Sequence, residues 1–125
     1  MQRFLRFGAM LFICAKLFAC TPAAPPVVTK EMVAVSGHYY LQGATEVGSE
    51  LLLRKDGKFQ WMLAYGAVDQ RAEGTWQMTA NDVELSSSGS SAPFNRLKLV
   101  HDNGKLAMND PETQMKGVYV KQPAN

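Results

Sequence analysis

Few side chains in this 125-residue chain carry the chemistry of a catalyst, and no motif sets them against one another. The only cysteines are Cys14 and Cys20. Their spacing is not the Cys-x-x-Cys of a redox pair or a thiolate metal site. The only histidines, His38 and His101, stand in separate runs. With Glu46 or Asp69 they would offer imidazole and carboxylate ligands, but nothing in the spacing joins them. Glu46, Glu50 and Asp69 would do acid–base work only from a shared pocket. They read as solvated acids. The run Ser86–Ser91 holds hydroxyls but no Gly-x-Ser-x-Gly elbow, and it reads as a flexible loop around Gly89. The expectation is a protein that binds and does not catalyse, with no metal, no cofactor and no catalytic residue.

The elements that must carry these residues are strands. Asp56-Gly57 and Asn103-Gly104 are strong hairpin signals. Phe59, Trp61, Leu63 and Tyr65 alternate with Gln60, Met62 and Ala64, which puts the larger aromatics on one face. Ala72, Gly74, Trp76 and Met78 alternate with Arg71, Glu73, Thr75 and Gln77, the pattern of a sheet with one wet face. Val83 and Leu85 are expected to point inward. Further runs at 38–41, 50–54, 94–101, 106–108 and 115–121 bring the total to about eight short strands, with no convincing helical period after the N-terminal segment. The fold class predicted is all-β, a small antiparallel up-and-down meander closed into a barrel. Tight turns pair sequential strands, and closure removes exposed edges. Gly74 beside Trp76 is expected to mark a bend or a close backbone approach.

The segment Tyr65–Arg71 reads as a loop with chemical interest. Gly66 frees the backbone, and Asp69 and Arg71 offer opposite charges. With Tyr39, Tyr40 and Trp61 they would line a barrel mouth, where such folds bind ligands. The candidate binding residues are therefore Tyr39, Glu46, Trp61, Tyr65, Asp69 and Arg71. The competing expectation is that Trp61, Tyr65 and Trp76 fill the interior of so small a barrel.

The N-terminus is a targeting segment. Arg3 and Arg6 precede an apolar run from Phe7 to Ile13, and Leu17-Phe18-Ala19-Cys20 closes it. The run falls short of the roughly 20 residues that span a bilayer, and Lys16 interrupts it. Thr21-Pro22-Ala23-Ala24-Pro25-Pro26 then cannot continue a helix. Leu17–Cys20 resembles the lipobox of bacterial lipoproteins. That resemblance implies a diacylated Cys20 as mature N-terminus, and Thr21 in place of aspartate implies the outer membrane. The organisation expected is a signal over 1–19, a lipidated cysteine and Pro/Ala-rich tether over 20–35, and a barrel over 36–122. Without Arg3, Arg6 and Lys16, the thirteen Lys and Arg fall to ten against eleven Asp and Glu, so the formal charge of +2 becomes −1. No clustered basic face suggests nucleic acid. Nor does the barrel hold a cysteine for a disulfide.

The order of the barrel motifs is also recognisable. Gly37-His38-Tyr39-Tyr40, Glu50–Leu53, Asp56–Phe59, Tyr65, Gly74-Thr75-Trp76, Val83-Glu84-Leu85, Leu97 and Asp102–Leu106 follow in turn. The series resembles the N-terminal domain of the NlpE family of envelope-stress and copper-resistance lipoproteins, and lipocalin-like envelope lipoproteins more broadly. It covers about Gly37 to Met108. The resemblance implies a periplasm-facing barrel in envelope maintenance or stress signalling. The family's Cys-x-x-Cys after the first strand is absent, since that segment reads Gln42-Gly43-Ala44-Thr45-Glu46-Val47. Copper and thiol chemistry therefore do not carry over. The partners expected are the membrane, through the lipid anchor, and an envelope protein or a small apolar ligand. A carrier of lipid or another apolar molecule is the first alternative. The second is an inhibitor resembling those of c-type lysozyme, whose Ser-Gly-rich loop ends in tyrosine where Phe94 stands here.

Overall fold

The structure is a computed structural model that describes residues 27–109 and 116–124. The segment expected to be a signal, Cys20 as the expected lipidation residue, and the proline-rich stretch to Pro26 lie outside the described residues. The eight strands are β1 (Gly37–Gln42), β2 (Val47–Leu53), β3 (Lys58–Tyr65), β4 (Val68–Thr79), β5 (Asp82–Ser87), β6 (Arg96–Asp102), β7 (Lys105–Asn109) and β8 (Lys116–Lys121). Each pairs antiparallel with its neighbours in sequence, and β1 pairs with β8 to close the ring. The chain is the expected eight-stranded, up-and-down antiparallel barrel.

Turn chemistry sets the register. Asn103 and Gly104 have φ of 48° and 74° and link Asp102 directly to Lys105. Two successive positive φ values give the hairpin turn whose twist matches the flanking strands. Gly57, at φ 82°, does similar service between β2 and β3. Gly74 marks a close approach, as its place in the strand suggested. A Cβ there would collide with the backbone carbonyl of Ser86.

The predicted alternation is the observed one. Phe59 and Trp61 of β3, Ala72 and Trp76 of β4, and Val83 and Leu85 of β5 all face inward and are buried. Phe94, from the β5–β6 connection, also turns in. Its ring meets Trp61 edge-on at a centroid distance of 5.2 Å and lies near-parallel to Phe59 at 6.3 Å. Such aromatic pairs add about 0.5–1.5 kcal/mol each beyond their buried area.

Two sequence expectations give way. No helical period is expected after the N-terminal segment, but Lys30–Val35, within the stretch read as tether, form a helix, α1. Thr29 caps it by accepting from the Met32 N–H at 3.2 Å. Met32 and Val35, three residues apart on one face, are buried in the barrel core. Six residues are too few to display a helical period; the cap and the burial make this helix. Secondly, Tyr65–Arg71 is not a loop. Gly66 and Ala67 alone form the turn, and β4 pairs with β3 from Val68 onward.

Candidate functional site

The barrel interior is occupied by side chains. Tyr119, Trp61 and Ser49 form its one chain of buried side-chain hydrogen bonds among the described residues. Trp61 Nε1–H donates to Tyr119 Oη at 2.8 Å. Ser49 Oγ–H donates to the Met62 carbonyl at 2.6 Å. Tyr119 Oη and Ser49 Oγ are 2.8 Å apart. The serine's single proton is already committed, so the tyrosine hydroxyl donates to it. Burial pushes the Tyr119 phenol above its usual range, and the hydrogen bond it accepts from Trp61 partly offsets this. Tyr39 donates to the Val35 carbonyl of α1, and burial pushes its phenol up to about 12. Both phenols stay neutral near pH 7. They serve as structural donors and not as phenolate nucleophiles.

Exposure on the inward face of β3 rises toward one end of the barrel. Phe59 and Trp61 are 1% and 2% exposed, Leu63 is half-buried, and Tyr65 is 52% exposed. At that end Val47, Tyr65 and Val68 pair across β2, β3 and β4. They form the rim of a cavity of about 470 Å³, with Leu41, Leu63 and Met108 below. Lys116 is the charged residue that lines it. The cavity stops at the packed core, so it is a shallow mouth and not a deep calyx.

The sequence candidates separate into three groups. Tyr65 is on the mouth, and Glu46 is exposed in the β1–β2 turn with φ 64°. Tyr39 and Trp61 are core residues, 1% and 2% exposed, and do not line a mouth. Asp69 and Arg71 lie on the outer face. Asp69 is opposite Ala64 and Arg71 opposite Met62, one residue out of phase with Tyr65 and Val68. Because Val68–Arg71 is strand, alternation turns both charges away from the cavity. Tyr65, Asp69 and Arg71 therefore do not form one site.

Val47 and Val68 escaped notice in the sequence. Val68 shares the parity of Ala72, Gly74 and Trp76, so extending that alternation back to the turn would have found it. Tyr119 and Ser49 had no local signal, since they are 70 residues apart in sequence. His38, which no spacing joined to an acid, has its Nε2 3.0 Å from Glu50 Oε2 across the β1–β2 pair. Among the described residues no group of three or more His, Cys, Asp or Glu is placed to hold a metal ion. No protein-family model matches the chain, and no curated protein or solved structure matches it either.

Proposed function

We propose that this chain is a non-enzymatic binding module, held at the outer membrane by lipid on Cys20 and facing the periplasm, that receives an apolar group of an envelope protein at its barrel mouth. The carrying observation is the rim itself. Tyr65 and Val68 are 52% and 48% exposed beside Val47. Exposed apolar clusters of this kind mark interaction sites. The lipobox at Leu17–Cys20 supports the anchor, and the motif order shared with the NlpE-type domain supports an envelope role.

A small-ligand carrier is the second reading, favoured by the apolar lining of the mouth. The packed Trp61–Tyr119 layer restricts it to a small molecule or to one end of a longer one. The lysozyme-inhibitor reading asks for an aromatic at the tip of a free loop. Phe94 is 6% exposed and packed on Phe59 and Trp61, so that reading is not carried forward.

The test is crosslinking of the lipidated protein in envelopes, beside a Val68→Asp variant. The variant places a charge on the rim without touching the core. A defined crosslinked partner that disappears in Val68→Asp is the expected result. A partner retained at wild-type yield overturns the mouth as the site. A bound small apolar molecule, lost in the variant and unaccompanied by protein, puts the carrier reading first. A Cys20→Ser chain that stays membrane-bound overturns the anchor.

A further inference from the structure

Arg71 and Glu73, turned away from the mouth, belong to a second concavity. It lies on the outer wall and has a volume of about 590 Å³. Its floor follows the strand register. One row runs His38, Leu52, Gln60, Glu73 and the next runs Glu50, Met62, Arg71 across β1 to β4. The β5–β6 connection forms a wall above β4, fixed by the Ser88 N–H and hydroxyl, which both donate to the Glu73 carbonyl at 2.8 and 3.1 Å.

The charges in this groove are not equivalent. Glu50 is engaged by His38, whose ring also lies 4.6 Å from that of Tyr40. Arg71 and Glu73 are exposed and make no ion pair among the described residues. They project from the same face of β4, two residues apart, at a spacing of roughly 7 Å. Beside this wall, half-buried Leu52 and Met62 supply an apolar floor.

We propose that this groove binds a short zwitterionic peptide, with its carboxylate on Arg71, its ammonium on Glu73, and a side chain over Met62 and Leu52. Arg71 and Glu73 stand two positions apart on an extended strand, the same backbone span as an extended dipeptide at roughly 3.3–3.6 Å per residue. A guanidinium is the fitting donor for a carboxylate, because its fork gives two parallel charge-assisted bonds. A phosphate or other polyanion is repelled by Glu73 and Glu50, and among the described residues that line the groove Arg71 is the one lysine or arginine. A neutral sugar would hydrogen-bond to both side chains but neutralise neither charge. Gln60, Ser88 and Ser91, all lining the groove, offer partners for the peptide's amide and carbonyl. This site is independent of the mouth.

The test uses the full-length chain in neutral detergent micelles, with backbone amide shifts followed by NMR. Dialanine is titrated beside its N-acetyl and C-amide derivatives. The expected result is a saturable shift confined to amides around Gln60, Met62, Arg71, Glu73 and Ser88. Each capped derivative binds about tenfold more weakly, the order expected for one charge-assisted contact. Arg71→Gln abolishes the preference for a free carboxylate, and Glu73→Gln the preference for a free amine. Val68→Asp leaves all of this unchanged. Equal binding of the capped derivatives, shifts centred on Val47 and Val68, or no saturable shift overturns the proposal. Both groove residues are exposed, so their variants fold.

Discussion

Tyr119→Phe tests whether the interior is dry and filled. The substitution deletes one oxygen and leaves the ring in place. Tyr119 is fully buried, while Trp61 and Ser49 are 2% and 4% exposed. With the oxygen gone, Trp61 Nε1–H has no acceptor, and Ser49 keeps only its bond to Met62. A buried unsatisfied donor costs about 1–3 kcal/mol, and the lost tyrosine–serine bond adds about 1 kcal/mol. The expected loss is therefore roughly 2–4 kcal/mol. A domain of this size has a total stability of roughly 5–13 kcal/mol, so this is a large share. Urea unfolding followed by tryptophan fluorescence reads it directly, since both tryptophans are buried. With a slope near 1.5 kcal/mol/M, within the range for small domains, the midpoint falls by roughly 1.3–2.7 M at constant slope. Tyr40→Phe is the control. Its hydroxyl is 3.5 Å from His38 Nδ1 and part-exposed, and its loss costs under about 0.5 kcal/mol. A water-filled carrier cavity would let a solvent molecule replace the missing hydroxyl. A Tyr119→Phe loss no larger than that of Tyr40→Phe would therefore refute the filled core and the shallow mouth that rests on it.

Two further outcomes follow from the same packing. The Tyr39 phenol is raised from 10.0 to about 12 by burial, so the folded state favours its protonated form. That contribution is fully present below pH 10 and is lost as pH rises through about 12. It is worth roughly 2–3 kcal/mol, and Tyr39→Phe should remove this part of the alkaline decline in a pH series of urea midpoints. Gly74→Ala drives a methyl against the Ser86 carbonyl and should cost about 1–3 kcal/mol. At Gly48 an added Cβ meets nothing within 4 Å, so thermal melts of Gly48→Ala should stay near wild type.

The barrel was legible in the chain because its signals are local. Asp56-Gly57 and Asn103-Gly104 fix hairpins, and the alternation through Phe59, Trp61 and Trp76 assigns the inner face. A period of two residues survives in any window of a strand. The helix Lys30–Val35 was not legible. Its six residues show no period, and the burial of Met32 and Val35 exists only once the barrel is present to receive them. The same holds for β4. Gly66 announced a turn, but only pairing with β3 decides that the strand resumes at Val68.

The candidate site divided along the same line. The sequence by itself determined which residues were aromatic, charged or small, and it placed Tyr65 at the end of an inward-facing strand. Closure of the ring decided the rest. It brought Ser49, Trp61 and Tyr119 into one hydrogen-bonded chain, moved Tyr39 and Trp61 from candidate contacts into the core, and turned Asp69 and Arg71 outward. Strand alternation is a local property, but whether a face becomes core, mouth or outer wall depends on partners as distant in sequence as Lys121 is from Tyr39. Only the tertiary structure supplies those partners.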